Sequence, residues 1–102
     1  MEMITVKYVP ADSDQPEEFK EIPNDPSVFK VLVDGWVEIV KTQHMYYHKI
    51  VMLVNEDGIA QHKALNRRAM DQSQYPGPIV GDAVFVGWNY DSDSDWFDYP
   101  NT

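Results

Sequence analysis

Three groups of residues in this chain could do chemistry: alternating aspartates near the C-terminus, scattered histidines, and two asparagines with paired arginines. Asp91, Asp93 and Asp95 alternate with serines, which places carboxylates at the first, third and fifth positions of a calcium loop. Such a loop also needs glycine at its sixth position for a sharp turn and a bidentate glutamate at its twelfth. Trp96 and Thr102 stand there instead, and calcium is set aside. The segment fits a protein contact better. Trp96, Phe97 and Tyr99 are large anchors among Asp91, Asp93, Asp95 and Asp98. Anchors of that kind carry an interface once charge has steered the encounter. A tail that only keeps a protein soluble has no need of three aromatics in four positions.

The histidines are His44, His48 and His62. A zinc site needs three or four well-placed ligands, and no acid stands at ligand spacing from His44 and His48. Glu38 and His48 could face each other across a hairpin as an acid–base pair, although cross-strand neighbours of this kind are ordinary packing. No glycine-rich phosphate loop and no serine nucleophile elbow is present. The chain contains no cysteine, which removes disulfides, thiolate metal sites and cysteine nucleophiles together. The expectation is a protein without catalysis, metal or cofactor.

Asn55, Asn66, Arg67 and Arg68 deserve separate weighing. Amides read base edges and arginines clamp anions, so these four could line a nucleotide pocket. Their commoner uses are structural: Asn55 with Asp57-Gly58 in a turn, Asn66 at a helix cap, Asp82 on backbone groups.

The elements that must position these residues follow from pattern. Met3–Val9 alternates as a strand and Pro10 ends it. The polar stretch 11–18 reads as a loop before a short strand at Phe19–Ile22. Asp25-Pro26 marks a helix start, with Asp25 as N-cap and Pro26 where a missing N–H costs nothing. Val28, Phe29, Val31 and Leu32 give the helical stripe, and Asp34-Gly35 stops it with Gly35 at C′. Trp36–Thr42 and Tyr46–Val54 read as strands of a hairpin. Because Ile50–Val54 is apolar on both parities, its strand is expected near the sheet centre with both faces covered. Asn55–Gly58 is a turn, Gln61–Met70 a short helix, and Ile79–Trp88 the last strand, with Gly81 and Gly87 marking bulges or close approach. Leu32, Val37, Ile39, Val51, Leu53, Val84 and Val86 form the expected core stripe. The order predicts an α+β domain: a small, mostly antiparallel sheet of four to five strands with one or two short helices on one face. Residues 1–88 make the domain, including the acidic 11–25 stretch, and 89–102 a separable tail.

With 102 residues, 43% of them hydrophobic, there is room for a single modest core. The longest apolar run, Ile50–Val54, is far short of the ~20 residues of a membrane span. Met1 leads straight into Met3–Val9 with no signal-peptide core, so the expected location is cytoplasmic. The net charge of −9 is unevenly placed. Residues 26–88 are neutral, and the excess acid lies in 1–25 and 89–102. Anionic margins repel nucleic acid and membrane and attract basic partners.

Residues 27–87 also carry an ordered set of motifs: Asp34-Gly35-Trp36-Val37-Glu38, Asn55-Glu56-Asp57-Gly58, Asn66, and Val80-Gly81-Asp82. In these the chain resembles the domain of unknown function 3846 family, small proteins frequent in bacteriophages and mobile elements. The long acidic 11–25 stretch and the Asp-rich tail depart from that pattern. The resemblance implies a phage or mobile-element setting and no known chemistry.

Two functions are expected from these residues. In one, a phage- or mobile-element protein inhibits a host protein, a defence nuclease or another nucleic-acid-binding factor, by offering carboxylates to its basic groove. Duplex DNA carries one charge per ~1.7 Å of axis, and alternate aspartates on an extended segment recur about every 6.6 Å on one face. Asp91, Asp93, Asp95, Trp96, Phe97, Asp98 and Tyr99 would make that contact. In the other, an oligomer sequesters a small nucleotide signal with Asn55, Asn66, Arg67 and Arg68. A structural or accessory phage role is the third reading.

Overall fold

A computed structural model of the chain describes residues 2–42, 49–74, 77–89 and 95–97. The elements are β1 (Met3–Val9), β2 (Glu18–Pro23), α1 (Pro26–Val33), β3 (Val37–Lys41), β4 (Ile50–Asn55), α2 (Arg67–Met70), β5 (Ala83–Asn89) and β6 (Asp95–Phe97). The sheet runs β2-β1-β5-β4-β3, with β6 also paired to β5. Every pairing is antiparallel. The fold class is α+β, as the order of consecutive strand pairs separated by short helices predicts.

Strand β4 is buried along its whole length. It lies between β3 and β5, so its two apolar parities each meet a core. Val51 and Leu53 join Ile4, Val6, Val84 and Val86 under Phe29 and Val33 of α1. Ile50, Met52 and Val54 join Val9, Val40, Ile79 and Phe85 with Ala69 of α2. The two helices therefore cover opposite faces, and the expectation of helices on one face holds for α1 alone. The physical reason is β4 itself: a strand apolar on both sides needs cover on both sides.

Helix α1 begins as its sequence dictates. The Asp25 side chain accepts from Ser27 N–H, and Pro26 sits in the first turn. Its end differs by one residue, because Asp34 takes the left-handed conformation (φ 59), which a short polar side chain tolerates. Gly35 follows at φ 155, and a Cβ there would stand 2.5 Å from the Asn55 amide nitrogen.

The helix expected over Gln61–Met70 shrinks to Arg67–Met70. His62 adopts φ 58, which breaks helical geometry, and the Asn66 side chain starts a new cap at Ala69 N–H. The last strand begins at Ala83 because Gly81 turns the chain at φ 80. Of the expected core stripe, Val51, Leu53, Val84 and Val86 are fully buried and Leu32 and Val37 pack against them. Ile39 is 41% exposed, because β3 ends the sheet path.

Strand β6 brings part of the tail onto the sheet. Gly87 pairs with Ile50 on one edge of β5 and with Phe97 on the other, the edge along which β1 runs lower down.

Candidate functional site

Three ties hold the acidic loop that leaves β1 at Pro10. One nitrogen of the Arg68 guanidinium donates to the carbonyls of Pro10 (2.7 Å), Asp12 (3.1 Å) and Gln15 (2.8 Å). Asp82 accepts from Ala11 N–H at 3.0 Å and from the Tyr8 hydroxyl. Asp12 accepts from Asp14 N–H at 2.9 Å, and Gln15 N–H returns to the Asp12 carbonyl at 3.0 Å. Burial, then the Asp82 hydrogen bond and the negative charges of Asp82 and Glu18, raise the Tyr8 pKa above its ordinary value. The phenol thus stays protonated and keeps donating.

The electrostatic consequence lies in what Arg68 touches. Its donors go to main-chain carbonyls, so it orders the loop without pairing the carboxylates. Asp12, Asp14, Glu17 and Glu18 remain exposed. Glu17 meets the half-buried Lys7 at 3.3 Å and Glu18 meets the half-buried Lys20 at 3.0 Å, so each of these two carboxylates carries a lysine partner. The loop is an ordered anionic display. Its acidity is legible in sequence; that Arg68 and Asp82 fix its shape is not, because both lie over 50 residues away.

Of the residues considered for a nucleotide pocket, Asn55, Asn66 and Arg68 are each engaged in bonds to different parts of the chain. Asn66 is 0% exposed. Its amide nitrogen donates to the carbonyls of Val9 (2.9 Å) and Gly81 (3.0 Å), and its oxygen caps α2 at Ala69 N–H (3.1 Å). Asn55 donates to the carbonyls of Val33 (3.2 Å) and Asp34 (2.7 Å) and to Gln61 (3.2 Å), while accepting from Asp57 N–H at 2.7 Å. It closes the end of α1 and forms the turn after β4 at once. Arg67 is exposed and Arg68 half-buried, its guanidinium bonded to carbonyls of the acidic loop.

Shallow clefts lie among the described residues, and Asn55 lines one of them. One of about 220 Å³ is lined by Glu38, Val54, Asn55, Glu56, Ile59, Pro78, Ile79 and Val80. Another, about 320 Å³, is lined by Ala11, Asp12, Val33, Asp34, Lys63, Ala64, Gly81 and Asp82, with Lys63 paired to Asp34 at 3.0 Å. Glu38 stands opposite Val54 across the hairpin. Among the described residues no group of three or more histidines or carboxylates is placed to hold a metal. Among them, too, no helix is long and apolar enough to cross a membrane.

Of the tail residues expected to contact a partner, Asp95, Trp96 and Phe97 lie on β6, in register with Asn89, Trp88 and Gly87. Asp91, Asp93, Asp98 and Tyr99 lie outside the described residues, as do His44 and His48.

The motif set read between residues 27 and 87 assembles in space: Asn55 binds the carbonyl of Asp34, and Asn66 that of Gly81. No curated protein and no solved structure matches the chain. The family model described as "Domain of unknown function (DUF3846)" matches residues 4–101. That span takes in the acidic loop and most of the tail, both of which the motif set had left outside. The chain therefore belongs to the DUF3846 family.

Proposed function

We propose that this protein is a non-enzymatic, acidic binding protein that occupies a basic surface of another protein, in the manner of a nucleic-acid phosphate array. The observation that carries the reading is the loop 11–18. Arg68 and Asp82 tie its backbone while Asp12, Asp14, Glu17 and Glu18 face solvent. A mimic of a stiff polyanion gains affinity when its charges are ordered before binding, because less freedom is lost on association. The tail adds Asp91, Asp93, Asp95 and Asp98 with the anchors Trp96, Phe97 and Tyr99. A phage- or mobile-element protein acting on a host nuclease or other nucleic-acid-binding factor fits this design.

The test is capture from bacterial lysate on the immobilised full chain, followed by elution with duplex DNA. The reading expects nucleic-acid-binding proteins that leave with DNA or high salt. It also expects their loss when Asp12, Asp14, Asp91, Asp93 and Asp95 are all replaced by Asn. Retention of the same proteins by that variant, with no release by DNA, would refute the reading.

A further inference from the structure

Strand β3 ends the sheet path, and hydrogen bonds near its two ends fix which way its backbone groups face. The Trp36 carbonyl accepts from Glu56 N–H at 2.8 Å, continuing the register in which Val37 faces Asn55 and Glu38 faces Val54. In an antiparallel pair, residues alternate between bonding the neighbour and turning away from it. Trp36, Glu38 and Val40 therefore bond toward β4, and Val37, Ile39 and Lys41 turn outward. Consistent with this, the Lys41 carbonyl accepts from Gln74 N–H at 2.9 Å on the outer side, where Ser73 bridges Thr42. That contact closes one end of the edge. Among the described residues, nothing bonds the outward N–H and C=O of Val37 and Ile39; residues 75 and 76, which follow Gln74, lie outside them.

The two sides of this edge differ in chemistry. Ile39, 41% exposed, faces the same side as Leu53 and α1. Glu38 faces the other side, at the cleft it shares with Glu56, Ile59 and Pro78. That cleft has apolar walls, two carboxylates and no base among its lining residues.

We propose that the Val37–Ile39 edge is a docking site for an extended segment of a partner protein carrying a lysine or arginine between two apolar residues. The incoming strand bonds Val37 and Ile39 through its main chain, as peptides do when they extend a sheet. Its central residue lies opposite Glu38 in the closely spaced, non-hydrogen-bonded position. A cation there meets Glu38, and its aliphatic stem covers Ile59 and Pro78, with Glu56 beyond. The flanking apolar residues fall on the α1 side, beside Val37 and Ile39.

A second copy of the chain fits poorly. Pairing Val37 of one copy with Ile39 of the other sets Glu38 directly against its twin, like charge opposite like. The site goes beyond the acidic-margin reading. It lies at the far end of the sheet from β2, and either can fail without the other.

Residue-resolved amide exchange on the full chain tests the proposal. The probe is the peptide acetyl-Ser-Thr-Val-Lys-Val-Thr-Ser-amide, with the Lys-to-Glu peptide as control. At saturation, exchange at Val37 and Ile39 should slow roughly tenfold, while Glu38 and Val40, already bonded to β4, stay unchanged. The acidic control peptide should do nothing. Glu38→Gln should weaken binding roughly threefold. Absence of binding overturns the proposal, as does binding that perturbs Asp12–Glu18 and leaves Val37 and Ile39 untouched. Protection of both amides in the free protein would overturn it equally, assigning the edge to a second copy if the protein sediments as a dimer and to the chain itself if it sediments as a monomer.

Discussion

Asn66 illustrates how one side chain can hold three segments. Its amide ties the end of β1 to Gly81, and its oxygen starts α2. Replacing it with Ala strands two buried carbonyls and removes a cap. Asn66→Ala should therefore cost roughly 2–4 kcal/mol in chemical denaturation. The sequence suggests a capping role for Asn66 but puts it inside a helix expected over Gln61–Met70; its bonds to Val9 and Gly81 depend on folding contacts that local pattern does not carry. Tyr8 and Asp82, 74 residues apart, were equally out of reach. Because the Tyr8 pKa is raised on folding, the folded state holds that proton more tightly than the unfolded chain. Its contribution is whole below the ordinary tyrosine value of about 10 and is lost as pH rises above it. Thermal melts should show stability falling above that pH, and Tyr8→Phe should remove part of the fall.

At the scale of elements, β4 carries the most consequence. Leu53 is 0% exposed in a strand covered on both faces, and Leu53→Ala should cost about 2–5 kcal/mol by opening a cavity. A loss under a kcal/mol, read by urea titration, would contradict the central placement. That placement was legible from Ile50–Val54, since only a two-sided burial suits apolar residues on both parities. The helix faces were not, because periodicity gives a stripe and no direction relative to the sheet. Ile39 misled for a related reason: its alternation marks the inner face, while its exposure comes from β3 ending the sheet. The tail was read as separable, yet β6 pairs with β5 at Gly87–Asn89. Removing residues 89–102 should lower stability by about 1–2 kcal/mol and leave cooperative melting intact, as expected for a short terminal ladder. Loss of cooperativity in calorimetry would mean that the tail belongs to the core.

Across the whole molecule, topology sorts charge. The N-terminal acids other than Asp25 precede or sit on β2 at one end of the sheet, and β6 joins β5 on the edge shared with β1. Strands β2 and β6, separated by most of the sequence, thus fall on the β1 side of β5, away from the neutral β4 and β3. The sequence shows two acidic margins; only the strand order shows that β2 and β6 lie on the same side of β5. If that side recognises a basic partner, its charges act over distance and set the rate of encounter, while anchors such as Trp96 set the lifetime of the complex. The decisive measurement is the association and dissociation kinetics of the full chain with its captured partner across a salt series. The same series is run for the Asp91→Asn, Asp93→Asn, Asp95→Asn triple variant and for Trp96→Ala. A steep fall of the association rate with salt, roughly tenfold slower association in the triple variant, and faster dissociation in Trp96→Ala are predicted. Rates indifferent to salt and unchanged in both variants would contradict the account.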